Sequence, residues 1–347
     1  MSVMSRAQRY GAADGHHMNI TIIGAGAWGT ALAISLAENH RVTLFVRDSA
    51  QAKAMCTTHR NQRYLPDIPL PASLEMSADL SAALRAAELV VMAVPISALR
   101  STLLQLTKTT GAGVVWVCKG FEAETSKLPH QIVADVFPDG IDCGVLSGPS
   151  FAQEVARGLP TALTFASRDG EFARSTSQAL HHARLRIYAS SDVVGVEVGG
   201  AVKNVMAIAS GISDGMGLGQ NARAALLTRG LAEITRLGLK LGGRPETFAG
   251  LSGLGDMILT CTGDLSRNRQ VGLLLAKQKD LSDILTRLGH VAEGVYTVRE
   301  IHQLAQRQRV AMPISEAVYR ILYEKIPAAE VISELLSRAP NQEFSGG

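Results

Sequence analysis

The sequence predicts an α/β amino-terminal half, built on a doubly wound and mostly parallel sheet, followed by an all-α carboxy-terminal half. Seven short β-rich runs alternate with helical patterns up to about Asp192, which is the order expected of a parallel sheet covered by helices. Beyond Asp192 the β-rich runs stop, and Ala-, Leu- and Gly-rich helical periodicity replaces them. A chain of 347 residues with 46% hydrophobic residues is large enough for two domains.

The elements follow in chain order. The predicted strands are 19–23, 42–46, 89–94, 114–118, 144–146, 161–165 and 186–188. The predicted helices of the second half are 222–241, 270–277, 296–308 and 314–324, with 196–208 as a further candidate. The change of pattern predicts a dinucleotide-binding domain over 18–191 and a helical substrate domain over 192–340, packed tightly together. Residues 1–17 are expected to be a disordered extension, and residues 341–347 a tail.

Composition and charge exclude several classes of protein. The chain carries 34 basic and 31 acidic residues, a net charge of +3, and the basic residues are spread along it. Neither a nucleic acid nor an anionic membrane is therefore an expected partner. The most apolar segment, 193–212, is interrupted by Glu197, Lys203 and Asn204, so no membrane span is expected.

The four cysteines stand far apart in the sequence. Cys56, Cys118, Cys143 and Cys261 form no C-x-x-C pair and no Cys/His cluster with the spacing of metal ligands. They are expected to be buried free thiols in a reducing cytoplasm, and no metal site is predicted.

A glycine-rich motif follows the first predicted strand. Residues 24–29 read Gly-Ala-Gly-Ala-Trp-Gly between that strand and a helical pattern, which is the context that a dinucleotide-binding motif requires. Gly24 would permit the tight turn, Gly26 the approach of a pyrophosphate, and Gly29 the close packing of helix on strand. The amides at the helix N-terminus would bind the phosphates, so the sheet is expected to be Rossmann-like.

The end of the second strand bears on the choice between NAD and NADP. An acidic residue at this place usually binds the ribose of NAD, whereas an arginine suits the 2′-phosphate of NADP. This chain has Arg47 followed by Asp48. Arg47 favours NADP, and NAD is the alternative because Asp48 could bond the ribose while Arg47 lies in solvent.

Three later strands also end in residues suited to a ligand. They are followed by Val94-Pro95, by Lys-Gly-Phe-Glu at 119–122 and by Ser-Gly-Pro-Ser at 147–150. Ligands of open parallel sheets bind beyond the carboxyl ends of the strands. These segments should therefore line one cleft together with the glycine-rich loop.

Lys203 is the candidate catalytic residue of the second half. Its segment, 196–208, is apolar on every side and must be buried if it is helical, and a buried lysine is costly unless it has a task. Gly199 and Gly200 would lie one turn before it and leave room for a flat ring or a small substrate. Burial and nearby positive charge would lower its pKa, which suits a group that protonates a forming alkoxide and takes the proton back in reverse. A structural, snorkelling lysine is the alternative.

A candidate phosphate site precedes the predicted helix 270–277. Ser266 follows a Gly-Asp turn and has the position of an N-cap. Arg267 would then project beside helix amides that can bind an anion, and a phosphate is the expected anion. An ordinary surface arginine is the alternative.

Several longer motifs are more specific than the glycine-rich loop alone. They are GAGAWGTALA at 24–33, NQRYLP at 61–66, KGFE at 119–122, SGPSFA at 147–152, VEVGGAVKN at 196–204, NARAAL at 221–226, TRG at 228–230, GLSGLGD at 250–256 and EGV at 293–295. In these motifs the chain resembles the bacterial NAD(P)-dependent glycerol-3-phosphate dehydrogenase family over nearly all of 19–324. The resemblance implies a 6-phosphogluconate-dehydrogenase-like fold and reversible hydride transfer between NAD(P)H and dihydroxyacetone phosphate, giving sn-glycerol 3-phosphate.

The resemblance also implies roles for individual residues. Lys203 would be the proton acceptor in the oxidative direction, Lys119 would stabilise negative charge near the carbonyl, and Asp256 would orient Lys203 or the substrate hydroxyl. Arg267 and Asn268 would hold the substrate phosphate. The implied substrate-binding residues are Lys119, Gly148, Ser150, Lys203, Asp256, Ser266, Arg267 and Asn268.

For the cofactor, NADP or NAD, the resemblance implies contacts from both halves of the chain. Besides the loop glycines, the implied residues are Ala27, Trp28, Arg47, Lys119, Ala152, Arg267, Val291 and Glu293. The resemblance further implies a cytoplasmic homodimer that supplies glycerol 3-phosphate for phospholipid synthesis.

Two other functions are compatible with the same patterns. A β-hydroxyacid dehydrogenase would share the sheet-then-helices plan and a catalytic lysine on the long helix, but would act on a carboxylate substrate. A non-catalytic regulator that senses NADPH would tolerate loss of Lys203, and it would leave the segment 266–268 unexplained.

Overall fold

The amino-terminal half of the fold is a sheet with helices on its faces. The computed structural model describes residues 17–107, 111–277, 281–288 and 293–337. Its strands are β1 (Asn19–Ile23), β2 (Arg41–Phe45), β3 (Arg60–Asn61), β4 (Leu65–Pro69), β5 (Glu75–Ser77), β6 (Leu89–Met92), β7 (Gly113–Trp116), β8 (Cys143–Ser147), β9 (Thr161–Ala166) and β10 (Leu185–Ser190).

Eight of these strands form one sheet in the order β10-β9-β8-β7-β6-β1-β2-β5, and β3 pairs with β4 in a separate ribbon. All neighbours in the large sheet are parallel except β8 and β9. The central strands β6 and β7 are buried along their whole length, because helices cover both faces of a parallel sheet. The strand order reverses between β1 and β6, and such a switch point opens a crevice beyond the strand ends.

Seven helices accompany the sheet in the part of the chain that the structure describes. They are α1 (Ala27–Leu36), α2 (Ser49–Thr58), α3 (Leu80–Leu84), α4 (Ile96–Leu106), α5 (Pro129–Val136), α6 (Ala152–Ala156) and α7 (Gly170–Leu180). The described residues after β10 form helices and loops alone. These helices are α8 (Val193–Gly215), α9 (Gly219–Lys240), α10 (Pro245–Ala249), a π-helical turn (Leu251–Gly255), α11 (Asp256–Thr262), α12 (Arg267–Leu275), α13 (Leu281–Leu288), α14 (Glu293–Gln308), α15 (Pro313–Tyr323) and α16 (Ala328–Leu336).

The long helix α8 is the axis of the helical half. Its side chains are buried from Val193 almost to its end, and they contribute much of one hydrophobic core. Glycines let neighbouring helices touch its backbone: a Cβ on Gly211 would lie 2.0 Å from a carbonyl oxygen of α12, and one on Gly272 would lie 2.1 Å from a carbonyl oxygen of α8. Among the described helices α8 is long and apolar enough to cross a membrane, but 94% of its apolar stretch is buried inside the protein, which is the position of a core helix.

The predicted elements are all present, with shifted ends. Each of the seven predicted strands matches one of the strands in the large sheet, and the five predicted helices of the second half correspond to α8, α9, α12, α14 and α15. The short strands β3, β4 and β5 were not predicted. β3 has only two residues and β4 contains proline, so neither has an alternating pattern from which a strand could be recognised.

The burial of the four cysteines differs from the prediction. Not all four thiols are buried: Cys118 and Cys261 are, but Cys143 is partly exposed and Cys56 is exposed. Cys56 lies on the outer side of α2, because Met55 takes the inward position.

The extension was predicted over residues 1–17 and the tail over residues 341–347. Residues 1–16 and 341–347 lie outside the described residues. His17 is described and contacts the backbone oxygen of Asn39.

Candidate active site

Two lysines share one buried carboxylate between the sheet and the helical half. Lys119 follows β7, Lys203 lies in the middle of α8, and Asp256 is the first residue of α11. Lys119 Nζ donates to Asp256 Oδ2 at 2.6 Å, and Lys203 Nζ donates to Asp256 Oδ1. The Asp256 side chain is 1% exposed and that of Lys203 is 8% exposed. The carboxylate therefore holds both ammonium groups side by side.

Thr260 completes the cluster, and sequence reasoning did not find it. Lys203 Nζ donates to Thr260 Oγ1 at 2.8 Å, while the hydroxyl donates to the backbone oxygen of Asp256 at 2.6 Å. The spacing of four residues after Asp256 on a helix was the available signal, because residues i and i+4 lie on the same face. The Thr260 hydroxyl is thus held with a lone pair toward the ammonium.

The environment lowers the pKa of Lys203 to about 8. Burial disfavours the charged amine and is the largest cause, the negative charge of Asp256 opposes it, and the positive charge of Lys119 acts in the same direction as burial. The amine can therefore gain and lose a proton near neutral pH. This direction agrees with the sequence-based prediction.

The prediction for the glycines beside Lys203 was wrong. A Cβ on Gly199 would lie 2.5 Å from the Ser252 backbone oxygen in the π-helical turn, and one on Gly200 would lie 3.0 Å from Ser147 Oγ. The space before Lys203 is thus filled by the π-helical turn and by the end of β8. These glycines let protein segments approach α8 closely, and leave no room for a ring or a substrate.

The start of α12 lies near the same cluster. Ser266 is the N-cap, as predicted, and its Oγ accepts from the Arg269 amide at 3.3 Å. Arg267 is the exposed first residue of the helix. Asn268 is buried, and its Oδ1 accepts from the Gly294 amide at 3.1 Å. The contact orients the Asn268 amide group, whose nitrogen is a hydrogen-bond donor.

The Glu293 carboxylate interacts electrostatically with three of these cationic side chains. Glu293 begins α14, and burial raises its pKa, whereas the positive charges of Lys119, Arg267 and Lys203 lower it. These three cations therefore lie within electrostatic range of the Glu293 carboxylate. Val291, the other residue expected from this segment, lies outside the described residues.

The glycine-rich loop has the shape of a phosphate cradle. Gly24 has a φ of +117°, and a Cβ there would lie 2.4 Å from the Ala93 backbone oxygen. A Cβ on Gly29 would lie 2.0 Å from the Gly24 backbone oxygen, so only glycine permits this turn. A Cβ on Gly26, the N-cap of α1, would meet no atom within 4 Å. The loop is thus open where a pyrophosphate would approach the amides.

Residues expected at the cofactor surround this loop. Ala27, Trp28 and Ala152 pack in one small apolar cluster between α1 and α6. Arg47 is exposed just beyond β2. The carboxylate of Asp48 accepts from the amides of Ala50 and Gln51, which caps α2. Asp48 therefore caps α2, whereas the Arg47 side chain is exposed at the end of β2.

Gly148 and Ser150 follow β8, which pairs in parallel with β7, the strand that precedes Lys119. Gly148 has a φ of +140°, and Ser150 Oγ donates to its backbone oxygen at 3.0 Å. Ser252 of the π-helical turn donates to the backbone oxygen of Ser147 at 3.3 Å. The end of β8 is thereby joined to the segment that leads into Asp256.

A glycine-rich cradle at the switch point of a parallel sheet, together with a buried lysine in a helical half that packs on that sheet, is typical of a nicotinamide-dependent dehydrogenase. Two family models match the chain, described as the N-terminus and the C-terminus of NAD-dependent glycerol-3-phosphate dehydrogenase, over residues 19–173 and 192–333. The chain belongs to the NAD-dependent glycerol-3-phosphate dehydrogenase family.

Individual relatives agree with this assignment. Glycerol-3-phosphate dehydrogenase [NAD(P)+] of Thiobacillus denitrificans is 59% identical over 328 residues, which cover 94% of this chain and 100% of the relative. The protein of the same name from Nitrosomonas eutropha is 58% identical over 327 residues, covering 94% and 99%. The crystal structure of glycerol-3-phosphate dehydrogenase from Coxiella burnetii superimposes with a TM-score of 0.89 at 41% identity, covering 93% of this chain and 99% of that one.

Proposed function

We propose that the chain is an NAD(P)-dependent sn-glycerol-3-phosphate dehydrogenase in which Lys203 transfers the proton. The observation that carries this proposal is the buried Lys203 with its pKa lowered to about 8, held by Asp256. The names of the relatives give glycerol 3-phosphate as the substrate, and oxidation of its secondary hydroxyl would give dihydroxyacetone phosphate. The product would serve glycerophospholipid synthesis. A cofactor domain over 18–191 and a substrate domain over 192–340 would enclose the cleft.

The substrate phosphate would bind at the start of α12. Arg267 offers a guanidinium that can contact phosphate oxygens in pairs, and the N-terminal amides of α12 favour an anion. The Asn268 nitrogen would donate to a further oxygen, because its Oδ1 is already bonded to Gly294. Gly148, Ser150 and the cap residue Ser266 would line the rest of the pocket.

The lysines would act on the carbonyl oxygen. In the reductive direction the Lys203 ammonium would donate its proton to the alkoxide that forms there, and in the oxidative direction the neutral amine would take the hydroxyl proton. Lys119 would stabilise negative charge on that oxygen. Asp256 would keep both amines in place through its two oxygens.

The residues of the cradle fit a nicotinamide dinucleotide. When bound, NAD(P)H supplies the hydride. The open side of Gly26 would admit the pyrophosphate, while Ala27, Trp28 and Ala152 would contact the cofactor from one side and Lys119, Arg267 and Glu293 from the other. We expect NADP to be preferred, because Arg47 is exposed beyond β2 and Asp48 is engaged in capping α2.

The activity is tested by following nicotinamide absorbance with dihydroxyacetone phosphate and NADPH or NADH. We expect rapid oxidation by the wild type and a loss of about 1,000-fold or more in kcat for Lys203→Met, which keeps the length of the side chain but cannot carry a proton. Lys240→Met, at the exposed end of α9, is the matched control and should keep full activity. No turnover by the folded wild type would refute the proposed substrate.

We further propose that the protein is a homodimer of the cytoplasm. The support is the close resemblance to the bacterial enzymes. Size-exclusion chromatography with light scattering measures the mass of the particle, and a monomeric mass at working concentrations would contradict the dimer.

A further inference from the structure

Asn61 is a completely buried polar residue beside the glycine-rich loop. It is the last residue of β3, and its exposed fraction is 0%. The pairing of β3 with β4 changes register between Arg60 and Asn61. A buried amide must find hydrogen-bond partners, and those of Asn61 lie in the glycine-rich loop and the helix that follows it.

Both hydrogens of the Asn61 amide are engaged there. Asn61 Nδ2 donates to the backbone oxygen of Ala25 at 3.0 Å and to Thr30 Oγ1 at 2.8 Å. Ala25 lies between the first two glycines of the loop, and Thr30 is a buried residue near the start of α1. One side chain thus joins the loop to the helix whose N-terminal amides form the cradle.

The oxygen of the same amide faces α2. Gln51 Nε2 lies 3.5 Å from Asn61 Oδ1. Gln51 is in the first turn of α2, and the Asp48 carboxylate that caps this helix also accepts from the Gln51 amide. Asn61 therefore connects the pyrophosphate cradle with the helix that starts next to Arg47.

We propose that Asn61 is a positioning residue for the cofactor, which fixes the glycine-rich loop in the conformation that binds the pyrophosphate. This inference rests on the proposed function of the loop. A loop rich in glycine has many accessible conformations, and its own residues offer few side chains to restrict them. Holding the Ala25 carbonyl in place removes that freedom before binding, and preorganisation of this kind increases affinity.

The test measures the Kd for NADPH with the full-length protein, from the change in nicotinamide fluorescence. Asn61→Asp keeps the size of the side chain but loses both amide hydrogens and places a carboxylate against the Ala25 carbonyl. We expect the Kd for NADPH to rise about tenfold or more, while kcat at saturating NADPH changes less than about threefold. Asn39→Asp, the same exchange at an exposed position, should bind NADPH like the wild type.

A second ligand separates positioning of the loop from general damage to the domain. Adenosine 2′-monophosphate has the ribose phosphate but no pyrophosphate, so its affinity should be equal in the wild type and in Asn61→Asp. An equal loss for both ligands would overturn the inference, and so would an unchanged NADPH affinity in the folded variant.

If Asn61→Asp does not fold, Thr30→Val is the second variant, because it removes one of the two contacts of the Asn61 amide. A raised Kd for NADPH in Thr30→Val supports the inference, and an unchanged Kd overturns it. Failure of the wild type to bind NADPH would instead refute the proposed cofactor site.

Discussion

At the scale of single residues, the proton carried by Lys203 determines the pH dependence of the reaction. Its pKa of about 8 means that the ammonium needed for reduction is lost as the pH rises through about 8, while the neutral amine needed for oxidation appears over the same range. We expect kcat/KM for reduction to fall and that for oxidation to rise across this pH. Profiles in both directions between about pH 6 and pH 10 measure it, and flat profiles would contradict the assignment.

Thr260 should influence the same titration. Its hydroxyl accepts a hydrogen bond from the Lys203 ammonium at 2.8 Å and so favours the protonated form. Thr260→Val removes this acceptor, and we expect the inflection of both pH profiles to move to lower pH. Thr262→Val, at an exposed position two residues later, should leave it unchanged. An unchanged inflection in Thr260→Val would show that the hydroxyl does not act on the lysine.

Arg47 should decide the choice of cofactor. Its guanidinium can pair with the 2′-phosphate of NADPH, a group that NADH lacks. We expect Arg47→Ala to raise the KM for NADPH about tenfold or more and to leave the KM for NADH nearly unchanged. Titration of both cofactors with the wild type and the variant tests this. Equal changes for the two cofactors would place Arg47 away from the 2′-phosphate.

At the scale of elements, buried carboxylates of one helix cap the start of another. Glu233 of α9 accepts from the amides of Ile314 and Ser315 at 2.6 and 3.1 Å, in the first turn of α15. Glu197 of α8 accepts from the amide of His130 at 2.8 Å, in the first turn of α5. Both capped helices begin with a proline, which needs no partner for its nitrogen. These contacts satisfy helix amides that would otherwise be buried without acceptors.

Glu233 should make the stability of the protein depend on pH. Burial raises the pKa of Glu233 from 4.5 to about 7 in the folded state. Between pH 4.5 and about pH 7, the Glu233 carboxyl therefore binds its proton more tightly in the folded protein than in the unfolded chain. The contribution of Glu233 to the free energy of unfolding should therefore fall as the pH rises from about 4.5 to about 7, by at most about 3 kcal/mol. Glu233→Gln should weaken this dependence, and the exposed Glu330→Gln should not. Urea unfolding at several pH values measures it, and identical curves for wild type and Glu233→Gln would contradict the role.

At the scale of the whole molecule, Glu197 joins the sheet to the helical half. The buried Trp116 of β7 donates its Nε1 hydrogen to Glu197 at 2.9 Å, and the His130 side chain contacts the other carboxylate oxygen at 2.5 Å. We expect Glu197→Ala to lower the free energy of unfolding by about 3 kcal/mol, because it leaves these buried donors unpaired. Glu246→Ala, at an exposed position of α10, is the control. Urea denaturation measures both, and a change below about 0.5 kcal/mol for Glu197→Ala would show that the contact is dispensable.

The order and type of the main elements and the place of the glycine-rich loop could be predicted from the sequence alone. These features depend on local periodicity, on apolar runs and on the conformations that glycine alone permits, as at Gly24. The remaining features depend on tertiary packing, because contacts between distant segments leave no local pattern in the sequence. This packing brings Lys119, Lys203 and Asp256 together, although Lys119 and Asp256 are 137 positions apart in the sequence. It also fills the space beside Gly199 and places Asn61 behind the glycine-rich loop. The structure likewise shows that Asp48 caps a helix. The chemistry of each residue can be read from the sequence, but which residues meet depends on how the helical half packs against the sheet.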